Sequence, residues 1–90
     1  MNRVSVLSYH FYGRYGWDVV IYRGGIKGCV VIDLDDINEQ PELNISRLMN
    51  EGIHEKDVPE NVKSKVREYM SSAFFELDFC KMLNRLENEY

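Results

Sequence analysis

Two adjacent glycines, Gly24 and Gly25, stand between the β-rich runs 17 to 23 and 26 to 34, and no other feature restricts the fold so tightly. A two-residue glycine loop favours a primed turn, because both central residues then take positive φ and the turn matches the twist of the strands it joins. Such a turn pairs Arg23 with Ile26, Ile21 with Gly28, Val19 with Val30 and Trp17 with Ile32. Side chains alternate along a strand, so Trp17, Val19, Ile21, Ile26, Val30 and Ile32 share one face. Asp18, Val20, Tyr22, Lys27, Cys29, Val31 and Asp33 share the other. The first set reads as a core face and the second as a mixed one.

A third β-rich run, roughly 3 to 12, precedes this hairpin and is joined to it by Gly13-Arg14-Tyr15-Gly16. This loop closes in either of two registers one residue apart, and a slip of one residue exchanges the faces. Pairing Phe11 with Trp17 places Leu7, Tyr9 and Phe11 on the core face and His10 and Tyr12 on the mixed one, which puts the larger apolar groups inside. Most aromatics of residues 8 to 25 are then cross-strand packing partners, stabilising the sheet by about 0.2–1 kcal/mol per pair. Tyr12, Tyr15 and Tyr22, with Arg14 and Arg23, remain for a binding surface, since Tyr, Trp and Arg dominate interface hot spots.

Beyond Leu34 the spacing changes from two to that of a helix. Pro41 suits the first turn of a short helix over 41–51, with Ile45, Leu48 and Met49 on its apolar face and Gly52 ending it. Asp57 reads as the cap of a second helix, with Pro59 in its first turn and Glu60 three residues on. That helix, over 58–88, is long or broken, because its apolar residues form two stripes. Val62, Val66, Tyr69, Ala73, Leu77 and Cys80 fall in one sector; Phe75, Phe79, Met82, Leu83, Leu86 and Tyr90 fall in another, rotated by roughly 130°. Either the helix breaks near 71 to 78, or the second stripe packs against the short helix or a second copy of the chain. A homodimer is therefore expected, with Phe75, Phe79, Met82, Leu86 and Tyr90 as its self-association surface. The fold class is α+β, a three-stranded antiparallel sheet followed by two or three helices on one face.

Ninety residues form one domain, because a chain of this length buries too little surface for two cores. The first stretch lacks the continuous apolar run of a signal peptide, and no run approaches the roughly 18 apolar residues of a spanning helix. Two cysteines, Cys29 and Cys80, read as small buried hydrophobes kept reduced in a cytoplasmic setting. Charge is uneven: residues 35 to 90 hold thirteen carboxylates against seven basic side chains, while residues 1 to 34 are net positive. An acidic segment repels phosphate backbones and attracts basic surfaces, so the expected partner is a protein with a basic surface, with Asp35 and Asp36 at its binding site.

"VVIDLDDI", residues 30 to 37, resembles the first motif of haloacid dehalogenase-like phosphatases, in which a hydrophobic strand delivers one aspartate as nucleophile and a second as acid/base beside magnesium. The resemblance would give those roles to Asp33 and Asp35. It covers about eight residues, Ile37 stands where that family has threonine, and the strand comes third in an antiparallel sheet instead of opening a parallel one. His10 and His54 have no partner visible in the sequence, and the glycines of 23 to 28 lack the spacing of a phosphate loop. The chain is accordingly expected to be a non-enzymatic binding domain without cofactor or metal. In size and charge, though in no motif, it is similar to small inhibitor proteins of phages and mobile elements, including anti-restriction and anti-CRISPR proteins. The alternatives are a nucleic-acid-binding regulator using the aromatic hairpin and a small metal-dependent enzyme using Asp33 and Asp35.

Overall fold

The computed structural model describes residues 3–11, 16–33, 40–44 and 52–88, the side chain of Asn88 excepted. An antiparallel sheet is built from β1 (Ser5–Phe11), β2 (Gly16–Arg23), β3 (Ile26–Asp33), β4 (Glu42–Asn44) and β5 (Gly52–Ile53), in the order β4-β3-β2-β1-β5. Two helices follow, α1 (Glu60–Met70) and α2 (Ala73–Asn88), preceded by a 3-10 turn over Glu55–Asp57. The α+β class is as expected from the sequence. The sheet has five strands, however, where three were expected.

The central hairpin follows directly from its turn. Gly24 and Gly25 have φ of 57° and 86°, and the pairs Arg23 with Ile26, Ile21 with Gly28, Val19 with Val30 and Trp17 with Ile32 all form. In the first hairpin Phe11 pairs with Trp17 and Tyr9 with Val19, but the register shifts between Val6 and Ser8, so that Val6 lies opposite Ile21. This β-bulge inserts Leu7 as the extra residue, and Leu7 is 50% exposed instead of joining the core face. Phe11, also expected inside, lies at the rim with its ring edge on Trp17 at 5.3 Å.

Of the short helix expected over 41–51, the described part, Glu42–Asn44, is strand β4 instead, and Gly52, expected to end it, opens β5. Glu42, Leu43 and Asn44 pair with Val31, Val30 and Cys29, and Gly52 and Ile53 pair with His10 and Tyr9; residues 45–51 lie outside those described. Asp57, expected to cap a helix, instead closes the 3-10 turn, whose cap is His54: its Nδ1 accepts from the Lys56 amide at 3.3 Å. Pro59 takes the position before α1.

Between Met70 and Ala73 the helical run breaks. Ser72 Oγ donates to the Tyr69 carbonyl at 2.6 Å and accepts the Phe75 amide at 3.3 Å, which makes Ser72 the cap of α2. The break re-aims the chain, so Val62, Val66 and Tyr69 from α1 and Phe75, Phe79 and Met82 from α2 all enter one core with Tyr9, Trp17, Val19, Ile21, Val30 and Ile32. Tyr69 meets Phe75 edge-on at 5.4 Å, and its hydroxyl donates to Asp78 Oδ2 at 2.7 Å, tying the two helices together. Gly28 makes room for α2: a Cβ there would lie 3.1 Å from a Leu43 methyl and 3.3 Å from the Met82 sulfur.

Two substitutions test these constraints. A Cβ at Gly16 would sit within van der Waals radius of the Ile32 carbonyl oxygen, a backbone atom on the neighbouring strand, whereas at Gly52 the nearest atom is 3.7 Å away. Gly16→Ala is expected to lower the urea-unfolding free energy by about 1–3 kcal/mol, and Gly52→Ala to change it far less. Burial, reinforced by the bonded carboxylate of Asp78, holds the Tyr69 phenol protonated well above the ordinary tyrosine range. Its contribution is thus intact below pH about 10 and is lost as pH rises beyond, because the unfolded chain alone then releases the proton. Tyr69→Phe should cost about 1–2 kcal/mol at neutral pH and make the alkaline loss of stability shallower, with Tyr9, also raised by burial, supplying part of what remains.

Candidate functional site

Of the residues expected to form a partner surface, Tyr22 and Arg23 are described, and they take opposite sides of the sheet. Tyr22 is exposed on β2, on the sheet face away from the helices. Arg23 turns to the helix side, where its Nη1 donates to both carboxylate oxygens of Glu76 at 3.0 Å and its guanidinium lies over the rings of Phe79 and Phe75 at 5.1 and 5.9 Å. With its side chain 19% exposed, Arg23 closes the end of the core and is not offered to a ligand. Tyr12, Arg14, Tyr15, Asp35 and Asp36 lie outside the described residues.

The stripe expected to drive self-association is core. Phe75, Phe79 and Met82 are buried beneath the chain's own sheet and Leu86 is half-buried, while Tyr90 lies outside the described residues. A fully buried phenylalanine is worth about 1.5–3 kcal/mol over an exposed one, so the sheet and not a second copy satisfies this stripe. The reason for expecting a homodimer through these residues goes with it. What α2 leaves outside is the continuation of the other stripe, Ala73, Leu77 and Cys80, with Leu77 54% exposed, and next to it Phe74, 60% exposed.

Both edges of the sheet carry grooves. Along β1, only Tyr9 and His10 pair with β5, because the chain turns away at His54 into the 3-10 turn. Ser5, Val6 and Ser8 therefore pair on one side alone, with β2, and their outer edge carries no ladder among the described residues. A groove of about 370 Å³ opens at this fork, lined by Val6, Leu7, Ser8, Ile53, His54 and Glu55 among others. Ser8 Oγ and His10 Nε2 lie 2.8 Å apart in a hydrogen bond between side chains on the same face of β1. This is the partner of His10 that the sequence did not reveal.

The electrostatics of this groove are acidic. Burial pushes the Tyr9 phenol up, and the carboxylates of Glu55 and Glu60 push it further against the opposing charge of Arg67. Glu60 is itself engaged, accepting from Arg67 at 2.8 Å and lying 3.6 Å from Lys63, and the Arg67 hydrogen bond holds its carboxyl below the usual range. Glu55 and Asp57 are exposed and make no ion pair among the described residues. Leu7 adds an exposed apolar side chain at the same edge.

The strand carrying Asp33 has antiparallel neighbours on both sides, β2 and β4, which is unlike the parallel setting of the phosphatase motif, and Asp35 lies outside the described residues. Among the described residues no three His, Cys, Asp or Glu side chains converge as a metal site would require. Among the described residues no helix is long and apolar enough to cross a membrane. No family model, curated protein or solved structure matches this chain.

Proposed function

We propose that the chain is a non-enzymatic protein-binding domain that takes an extended, basic segment of its partner along the outer edge of β1, as an inhibitor or adaptor of that partner. The observation that carries this reading is the unladdered edge at Ser5–Ser8 beside the groove of Leu7 and Glu55. An added strand gains main-chain hydrogen bonds there, and alternate side chains find the groove. Leu7 supplies apolar area, and Glu55 with Asp57 attracts lysine or arginine. The excess of carboxylates over residues 35 to 90 extends the same attraction to longer range. Size and net charge support the inhibitor class; no motif does.

Nucleic acid fits this surface less well. A phosphate backbone meets Glu55 at the groove, and Arg23, one of the few basic residues of the hairpins, is already held by Glu76. Strong binding to single strands requires a cationic track with stacking aromatics, which this edge lacks.

The test is a titration of the isotopically labelled chain with an acetylated, amidated peptide alternating lysine and valine over about six residues. Amide shifts are expected at Ser5–Tyr9 and Gly52–Glu55, with affinity lowered about tenfold or more by Leu7→Asp combined with Glu55→Lys. Both side chains are exposed, so the variant retains its fold. Absence of shifts at these amides, undiminished binding by the variant, or tighter binding of a single-stranded oligonucleotide with a steep salt dependence would overturn the reading.

A further inference from the structure

A strand added along the outer edge of β1 meets the chain itself end-on. β5 runs antiparallel to β1, with Gly52 opposite His10 and Ile53 opposite Tyr9, so its line continues past Ile53 towards Ser8 and on to Ser5. The chain leaves that line at His54, whose Nδ1 accepts from the Lys56 amide and so holds the 3-10 turn that carries Glu55. A segment pairing with Ser5–Ser8 therefore abuts Ile53 and His54 at one of its ends. It has no straight path beyond. An antiparallel segment brings its first residue to this stop, and a parallel one brings its last.

Charge decides between the two directions. Glu55 is the one carboxylate in the lining of the groove, and among the described residues no lysine or arginine lines it. Lys56 and Asp57 belong to the same turn but stand outside the lining, and on α1 Glu60 is engaged by Arg67 and Lys63. Glu55 makes no ion pair among the described residues. Its charge reaches the Tyr9 phenol, which burial and this carboxylate together push up, so it stands over the fork where β5 ends. Building on the β1-edge reading, we propose that the groove recognises a free N-terminus: the partner segment runs antiparallel to β1, and its α-ammonium pairs with Glu55. The stop at Ile53 and His54 favours a chain end over an internal stretch, which would have to turn out of the sheet. An α-carboxylate in the same place meets Glu55 as a like charge at contact range. In this arrangement the ammonium lies about one strand step, roughly 3.3 Å, beyond Ile53, at the opening that Glu55 lines. Main-chain pairing along Ser5–Ser8 then supplies affinity, and capture of the terminal amine supplies register.

The experiment uses the whole chain, isotopically labelled, and two amidated peptides of equal net charge. One is Val-Lys-Val-Lys-Val-Lys with a free amine, and the other is its acetylated form with one further lysine at the C-terminal end. Expected are amide shifts at Ser5–Tyr9 with both, larger shifts at Ile53–Glu55 with the free amine, and an affinity about tenfold higher for it. In Glu55→Gln, an exposed change that leaves the fold in place, the two peptides should bind alike. By calorimetry the free-amine peptide should lose its advantage at about pH 9.5, above the ordinary α-amine range of about 7.7–8.0 and below that of lysine. Equal affinity of the two peptides for the natural chain, or an advantage that survives in Glu55→Gln, overturns the proposal and leaves the β1-edge reading standing. No shift at Ser5–Tyr9 with either peptide overturns both. So does a dimer in sedimentation that Leu7→Asp dissolves and neither peptide displaces, which assigns the edge to a second copy.

Discussion

A single serine hydroxyl, that of Ser72, organises the C-terminal half of this fold. The apolar residues between Val62 and Leu86 form two stripes that no straight helix could turn towards the same sheet. Ser72 bonds backwards to the Tyr69 carbonyl and forwards to the Phe75 amide, ending one helix and starting the next. Each helix is then free to rotate its own stripe inwards, and Tyr69 and Phe75, on either side of the break, meet edge-on in the middle of the core. The Tyr69–Asp78 hydrogen bond fixes the angle between them from the other flank. The same break leaves Leu77 outside, because it belongs to the stripe that α1 buries and α2 does not. The exposed apolar surface of this protein is thus a geometric consequence of how its core is filled.

The sheet shows a related economy at its edges. A long flat edge strand invites uncontrolled pairing, and short edges with a bulge limit it. Here β4 and β5 have three and two residues, and Leu7 bulges out of β1. Among the described residues neither short strand runs the length of its neighbour, and each has a groove beside it. At β1 the cover ends because His54 caps a 3-10 turn and leads the chain away. At β4 the space is bounded by α2, which approaches closely because Gly28 presents no side chain to Leu43 and Met82.

The parts of this architecture legible in the sequence are those whose cause is local. Gly24 and Gly25 set the register of the central hairpin because a primed turn admits only one pairing of the residues beside it. The break near Ser72 was legible as one of two ways to place stripes that are out of phase. Its consequence was not: a helical wheel separates the stripes but does not say which meets a sheet, so Phe75, Phe79 and Met82 were assigned to an interface instead of the core. The bulge at Leu7 had no local signal, and it moved that residue out of the core. Glu42–Asn44 and Gly52–Ile53 are too short for a period of two to register, and they exist as strands only through pairing with β3 and β1. Pro41 suggested a helix beginning at the residues that form β4 because a proline's preference for a first turn carries no knowledge of the strand next to it. Arg23 looked available because Glu76, its partner, lies 53 residues away.

Net charge is likewise a coarse guide to recognition in this chain. Several of its charged side chains are consumed by the fold: Arg23 with Glu76, and Glu60 with Arg67 and Lys63. Such exposed pairs add little to stability, but they remove their members from the set that can meet a partner. Of the other charges, Glu55 lines the groove at one edge of the sheet, and Lys81 and Arg85 share the groove at the other with Glu42 and Asp78. The acidic total arises from the whole surface and acts over about a Debye length, steering encounter with basic partners. Within a groove, the two or three groups that line it outweigh that distant background, because they act at contact range and in part away from water. A chain of net charge -4 can therefore present a groove with a carboxylate at one edge of its sheet and a groove of balanced charge at the other.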